Sequence, residues 1–232
     1  MKTIGILGGM SWESTLLYYK WLNEGVRERL GGLNSARIVM HSVNFHPVEE
    51  AMAAGDWETV ASHLVDGAHS VRKGGADFLV IATNTMHKFA ERLEAETGVP
   101  VLHIVDATAE YAKAMGMHTV GLLGTAFTME QDFYKGRLEQ KHGLKVLTPD
   151  TSDRSLVHKV IFKELCCGQV CTNSREEYIR IINGMEQQGA QAVILGCTEI
   201  CILVDSGCSP LPLLDTTHLH VQAALNRALS EG

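Results

Sequence analysis

The strongest constraint on this chain's fold is that it states one passage twice. Ala76-Asp77-Phe78-Leu79-Val80-Ile81-Ala82-Thr83-Asn84-Thr85 is answered by Ala190-Gln191-Ala192-Val193-Ile194-Leu195-Gly196-Cys197-Thr198-Glu199. Other stretches correspond in the same order: Thr3–Gly8 with Thr119–Gly124, and Pro100-Val101-Leu102-His103 with Pro212-Leu213-Leu214-Asp215. Pairing Ile4 with Val120, Ala76 with Ala190 and Pro100 with Pro212 gives offsets of 116, 114 and 112 residues. One recurring glycine turn would mean little, but an ordered set at nearly constant offset marks an internal duplication.

Each copy alternates short apolar, β-branched runs with amphipathic stretches. That is the pattern of parallel strands buried on both faces and joined by helices. The spacing predicts helices from Ser11 or Ser14 to Gly31, over 57–73 and over 86–96, and strands at 37–43, 78–82 and 98–104. A joining helix is expected over 104–116, followed by a strand at 118–125 and a helix entered at Thr125 with a capping box from Thr128 to Gln131. A strand at 144–147, helices over 155–165, 175–187 and 218–229, and the Val193 strand complete the second copy. The expected fold class is α/β, with two pseudo-symmetric parallel-sheet, Rossmann-like lobes. One lobe takes residues 1–103 plus 216–232 and the other 104–215. Ligands of open α/β sheets bind at the carboxyl ends of strands. The expected active site is therefore a cleft between the lobes, walled by Met10, Thr83, Thr125 and Cys197.

Composition removes several functions. A net charge of −7 argues against nucleic acid or an anionic membrane as a partner. No apolar run approaches the roughly 20 residues of a membrane span. The N-terminus enters a strand without a signal-peptide core, so a cytoplasmic protein is expected. Disulfides are then not expected among Cys166, Cys167, Cys171, Cys197, Cys201 and Cys208. The Cys167/Cys171 and Cys197/Cys201 spacings invite zinc, but packing is the better reading, and no metal is expected. Gly5, Gly8 and Gly9 lack the dinucleotide-fingerprint spacing.

The chemistry concentrates at the strand ends. Cys197, at a strand-to-helix turn, is expected to gain thiolate character from helix N–H groups; the alternative is a buried, inert thiol. Two quasi-symmetric strand ends around one ligand suit a reaction on opposite faces of one carbon, such as racemisation. A carbanion formed without a cofactor needs fixed donors. Backbone N–H groups at the Met10, Asn84, Thr125 and Thr198 turns would supply them.

At Gly8-Gly9-Met10-Ser11, Thr83-Asn84-Thr85-Met86-His87, Leu123-Gly124-Thr125, Thr128-Met129 and Gly196-Cys197-Thr198-Glu199 the chain resembles the aspartate/glutamate racemases. The resemblance covers essentially the whole length. It implies a cofactor-independent racemase of acidic amino acids, working without pyridoxal phosphate, and a homodimer. Within that family two cysteines face an amino-acid substrate, and Cys197 corresponds to the second. Asn84, Thr85 and Thr198 would hold the substrate, with Met10 beside it and Thr125 and Thr128 on a carboxylate. Two positions depart. The first cysteine is Thr83, a far weaker acid, able to donate or relay but not to persist as an alkoxide. Met52 replaces a polar residue, and either packs on the substrate or fills the core. Glu199 either polarises the site or complements a helix N-terminus. His87 and His220 are read as a relay and a support for Cys197 respectively, or as structural residues. Two other classes stay open: a related lyase or isomerase of the maleate isomerase or arylmalonate decarboxylase type, and a non-catalytic amino-acid-binding module.

Overall fold

The computed structural model describes residues 1–230. The chain divides into two compact units, Met1–His103 with the chain from His220 onward, and Ile104–Leu219.

The N-terminal unit begins with β1 (Ile4–Gly8), α1 (Trp12–Leu30), β2 (Ile38–Ser42), α2 (Phe45–Ala53) and α3 (Trp57–Lys73). It continues through β3 (Phe78–Ile81), a 3₁₀ turn (Thr85–Phe89), α4 (Ala90–Thr97) and β4 (Val101–Leu102). Its sheet is parallel throughout in the order β2-β1-β3-β4, with Ile4 beside both Ile38 and Phe78. The central strands β1 and β3 are wholly buried, which is why their sequences are unbroken apolar runs. Helix starts follow short polar side chains. Ser11 Oγ accepts the Ser14 N–H at 3.3 Å to open α1, and Asp56 accepts that of Thr59 at 3.1 Å to open α3. Arg72 and Lys73 close α3 at its negative end.

The second unit runs α5 (Ile104–Ala114), β5 (Thr119–Gly124), α6 (Ala126–Glu130), a π-helical turn (Arg137–Lys141), β6 (Lys145–Leu147) and α7 (Thr151–Lys163). A 3₁₀ turn (Leu165–Cys167), α8 (Thr172–Gln187), β7 (Ala192–Gly196), α9 (Ile200–Leu203) and β8 (Leu213–Asp215) lead into α10 (Thr216–Leu229). Its parallel sheet has the order β6-β5-β7-β8, strand for strand the topology of the first. The duplication expected from sequence is thus present in the connectivity. In this unit Asp106 of α5 receives Arg137, Lys141 and His142 at 2.7–2.8 Å, pinning the π-helical turn to α5.

Helix α10 completes the first unit's core. Its Val221, Ala224, Leu225 and Ala228 pack with Ile4, Ile6, Phe78 and Val80 of the sheet and Tyr18, Leu22 and Val26 of α1. The Lys2 N–H also donates to the Ala228 carbonyl at 2.9 Å. Truncating one such buried leucine, Leu225, costs about 2–5 kcal/mol through lost transfer energy and the cavity left behind. Among the described residues no helix is long and apolar enough to cross a membrane.

Three expectations change in detail. The strand read over 98–104 is confined to Val101–Leu102, and Ile104 already opens α5. The helix read over 86–96 is a 3₁₀ turn followed by α4, so the chain leaves β3 more tightly than an α-helix would allow. The cap of α6 is Thr125, whose Oγ1 accepts the Thr128 N–H at 3.3 Å. Thr128 lies inside the helix, so the Thr128–Gln131 capping box does not form there.

Candidate active site

In the second unit β7 is buried from Ala192 to Gly196, and exposure returns at Cys197, Thr198 and Glu199. The strand thus ends by presenting three polar side chains. Cys197 Sγ donates to Glu199 Oε2 at 2.9 Å, and Thr198 Oγ1 donates to the same oxygen at 2.7 Å. One carboxylate oxygen gathers both donors. Burial, and then the Glu199 charge beside it, push the Cys197 thiol well above its ordinary range. The expected gain in thiolate character is therefore overturned. Helix α9 is only four residues long, and a carboxylate stands at its N-cap, so the local charge opposes a thiolate.

The neighbouring strand brings two expected residues to this end of the sheet. β5 and β7 pair with Gly124 beside Gly196, and β5 runs into Thr125 and α6. Gly196 is required there, since a Cβ would lie 2.9 Å from Thr128 Cγ2 and 3.0 Å from the Leu123 carbonyl. Thr125 and Thr128 are both buried, with their hydroxyls 3.2 Å apart. From the other flank Thr216 Oγ1 donates to the Leu195 carbonyl at 2.8 Å, fixing β7 two residues before the thiol. Sequence reasoning missed His158. From α7, its Nδ1 accepts the Ala126 N–H at 3.1 Å, and burial holds its pKa below the ordinary value, which keeps that acceptor available. No spacing rule joins α7 to the start of α6, so the sequence carried no signal for it.

The N-terminal unit repeats the arrangement with different groups. β1 and β3 pair with Leu7 beside Ile81, so Met10, Thr83, Asn84 and Thr85 all follow the carboxyl ends of adjacent strands. Thr83 is partly exposed, whereas Asn84, Thr85 and Met10 are buried. Gly9 turns the chain after β1 at φ 91°, and its N–H donates to Thr15 Oγ1 at 2.8 Å. A Cβ at Gly9 would also run into the Val43 carbonyl. Met52 sits on the buried face of α2 with Val48 and Ala51.

The two histidines read from sequence have definite partners in this unit. His87 Nδ1 lies 2.8 Å from the Thr83 carbonyl oxygen, so it meets the backbone of Thr83. Both ring nitrogens of His220 are engaged, Nδ1 with the Tyr18 hydroxyl at 2.9 Å and Nε2 with the Leu102 carbonyl at 2.7 Å. The support of Cys197 by His220 is thus replaced by a structural role beside β4. Cys166, Cys167 and Cys171 are exposed. Among the described residues no group of three or more His, Cys, Asp or Glu side chains is placed to hold a metal ion.

Comparison with known proteins gives a consistent result. The family model for Asp/Glu/Hydantoin racemase matches residues 7–224. A Yersinia pestis protein provisionally assigned as an Asp/Glu racemase has a crystal structure that superposes with a TM-score of 0.94. It is 50% identical, over 99% of this chain and 100% of that one. The crystal structure of an aspartate racemase homologue from Pyrococcus horikoshii gives a TM-score of 0.85 at 33% identity, over 99% and 100% of the two chains. The broad specificity amino-acid racemase RacX of Bacillus subtilis is 23% identical over 222 residues, 92% of each chain.

Proposed function

From its membership of the Asp/Glu/Hydantoin racemase family, to which this chain belongs, we propose that it is a cofactor-independent racemase of aspartate and glutamate. The observation that carries this reading is the equivalence of two strand ends. β3 and β7 hold the same place in sheets of identical order, and each delivers a partly exposed, proton-bearing side chain after a buried strand, Thr83 in one and Cys197 in the other.

In this reading Cys197 is the principal acid/base and Glu199 is its proton partner. Transfer of the thiol proton to the Glu199 carboxylate gives a thiolate, which removes the Cα proton of the L-substrate and becomes a thiol again. The electron pair left on Cα is held as an enolate by backbone N–H groups at the strand ends. Thr83 serves the other face. Its hydroxyl gives a proton to Cα and regains one from water, and Glu199 returns its proton to the solvent, so no free alkoxide persists and the starting state is restored. Asn84, Thr85, Thr198 and Met10 hold the substrate, Thr125 and Thr128 order the turn that receives a carboxylate, and Met52 packs behind it. With only one thiol, deprotonation of the L-enantiomer is faster than that of the D-enantiomer.

The same proposal includes a homodimer. Its support is the outer face of α1, where Trp12, Leu16 and Tyr19 are exposed at spacings of one helical turn, near exposed Met40 of the edge strand β2. Along the same helix Lys20 pairs with Glu24 at 3.9 Å, an exposed pair whose charges can exchange partners between two copies about a two-fold axis.

Proton NMR in D2O tests the activity. Each enantiomer of aspartate and glutamate is incubated with the protein, and loss of the Cα–H signal is followed. Exchange with an L-acidic amino acid and no added cofactor is expected. Binding of aspartate without exchange would instead make the chain a binding module.

A further inference from the structure

Beside the end of β3 lies a group of imidazoles that the proposed chemistry does not use. His87, His103 and His220 are all buried. The ring centroids of His87 and His103 are 4.7 Å apart, and those of His87 and His220 are 5.5 Å apart. Their hydrogen bonds fix their chemistry. A carbonyl oxygen can only accept, so the His87 nitrogen facing Thr83 O carries the proton, as does the His220 nitrogen facing Leu102 O. The other nitrogen of His220 then accepts from the Tyr18 hydroxyl. Burial holds both rings neutral, pushing His87 well below its ordinary pKa, with His103 and His220 adding to the effect, and His220 down to about 4.

We propose that His87 is a positioning residue for Thr83, its Nδ1–H clamping the Thr83 carbonyl where β3 gives way to the 3₁₀ turn. This rests on the reading of Thr83 as the second acid/base group. The β-strand ends at Ile81 and Asn84 already has helical dihedrals, so Thr83 is the residue at which the chain changes direction. The planar peptide that follows Thr83 carries the clamped oxygen, so holding that oxygen fixes the residue's ψ and the setting of its side chain. A neutral ring is needed, because a charged imidazole at this depth would be desolvated. His103 and His220 pack against His87 and keep the ring in its place.

The test separates the two faces of the reaction. Solvent exchange at Cα of L-glutamate or L-aspartate reports on Cys197 alone, while net inversion, followed by circular dichroism, also needs Thr83. His87→Asn places an N–H donor where Nδ1 stood, and the ratio of inversion to exchange should stay within about twofold of the unaltered protein. His87→Phe keeps a ring but removes the donor, and the ratio should fall about tenfold or more, the equivalent of one lost hydrogen bond. His87→Gln moves the donor one bond outward and should give an intermediate ratio, and it takes the place of Phe where Phe does not fold. In a Thr83→Ala background none of these changes should alter the ratio further, since no hydroxyl remains to be positioned. Equal losses in exchange and inversion, an unchanged ratio, or an effect that persists without the Thr83 hydroxyl would each overturn the proposal. Absence of Cα exchange in the unaltered protein would sink the racemase reading itself, whereas exchange with a ratio indifferent to His87 sinks this inference alone.

Discussion

The thiol of Cys197 donates its proton to the carboxylate of Glu199, two residues further along the same turn, at 2.9 Å. The pair is local in sequence, yet it inverts the usual expectation for a cysteine at a strand-to-helix turn, because the nearest strong charge is negative. Replacing Glu199 by Gln removes that charge while keeping the shape. The alkylation of Cys197 by iodoacetamide, followed against pH by mass spectrometry, should then acquire its midpoint at lower pH. Cα–H exchange should fall despite the easier ionisation, since the proton's destination has been lost. An unmoved midpoint would assign the raised pKa to burial alone.

Cys197→Ser should cost at least about a hundredfold in Cα–H exchange with L-substrates, the usual span for removing a general base. Serine at the exposed Cys167 or Cys171 should leave exchange within about twofold, as surface replacements rarely exceed about 0.5 kcal/mol. Retained exchange in Cys197→Ser would place the base elsewhere.

Thr83→Cys supplies a thiol at the end of β3. Exchange starting from D-glutamate or D-aspartate, expected to be slow with a single thiol, should rise, and net racemisation with it. The equilibrium constant stays at one, because the enantiomers are equal in energy; only the approach from each side changes. If D-side exchange is already as fast as L-side exchange with Thr83 in place, another group serves that face.

Acid stability should follow His220. Its folded pKa of about 4 lies below the ordinary value of 6.5, so the unfolded chain takes up the proton first. Stability is therefore complete above pH 6.5 and declines as pH falls from there to about 4, by roughly 3 kcal/mol for this group. His87 is displaced in the same direction. Urea midpoints taken at intervals from pH 7.5 to 4.5 should show this decline. His220→Gln should flatten it, whatever its own effect at pH 7.5. An equal slope in the variant would assign the pH dependence to other groups.

Leu16→Glu on α1 should shift sedimentation from a dimer toward a monomer without altering the far-ultraviolet circular dichroism. A chain that sediments as a monomer before the change, or as a dimer after it, removes this face as the interface.

Much of this architecture was legible because the duplication is local information written twice. The buried strands β1, β3 and β7 are apolar runs, and α3 falls on Trp57–Lys73, between Asp56 and Gly74, as its polar start and glycine stop require. The positions of Thr83 and Cys197 followed from aligning the two copies. What could not be read depended on contacts between residues distant in sequence. His158 reaches Ala126 across 32 positions, and His220 reaches Leu102 across 118. The cap of α6 was missed for another reason. Thr125 and Thr128 both suit an N-cap, and the close passage of Gly196 over Thr128 leaves Thr128 inside the helix. The thiol's acidity is not legible locally, because burial and then the charge of Glu199 outweigh the N-terminus of a four-residue helix.

Helix α10 gives the N-terminal unit a schedule as well as a wall. Val221, Ala224, Leu225 and Ala228 fill a core whose other buried members run from Ile4 to Ala82. During synthesis those earlier residues emerge first and remain an open-faced sheet while the whole of Ile104–Leu219 is being made. The second unit, whose own chain is continuous, can close before the first one does. Until α10 has cleared the ribosome the first unit stays unfinished, with apolar surface exposed to chaperones. The half that begins the chain is the last to be sealed.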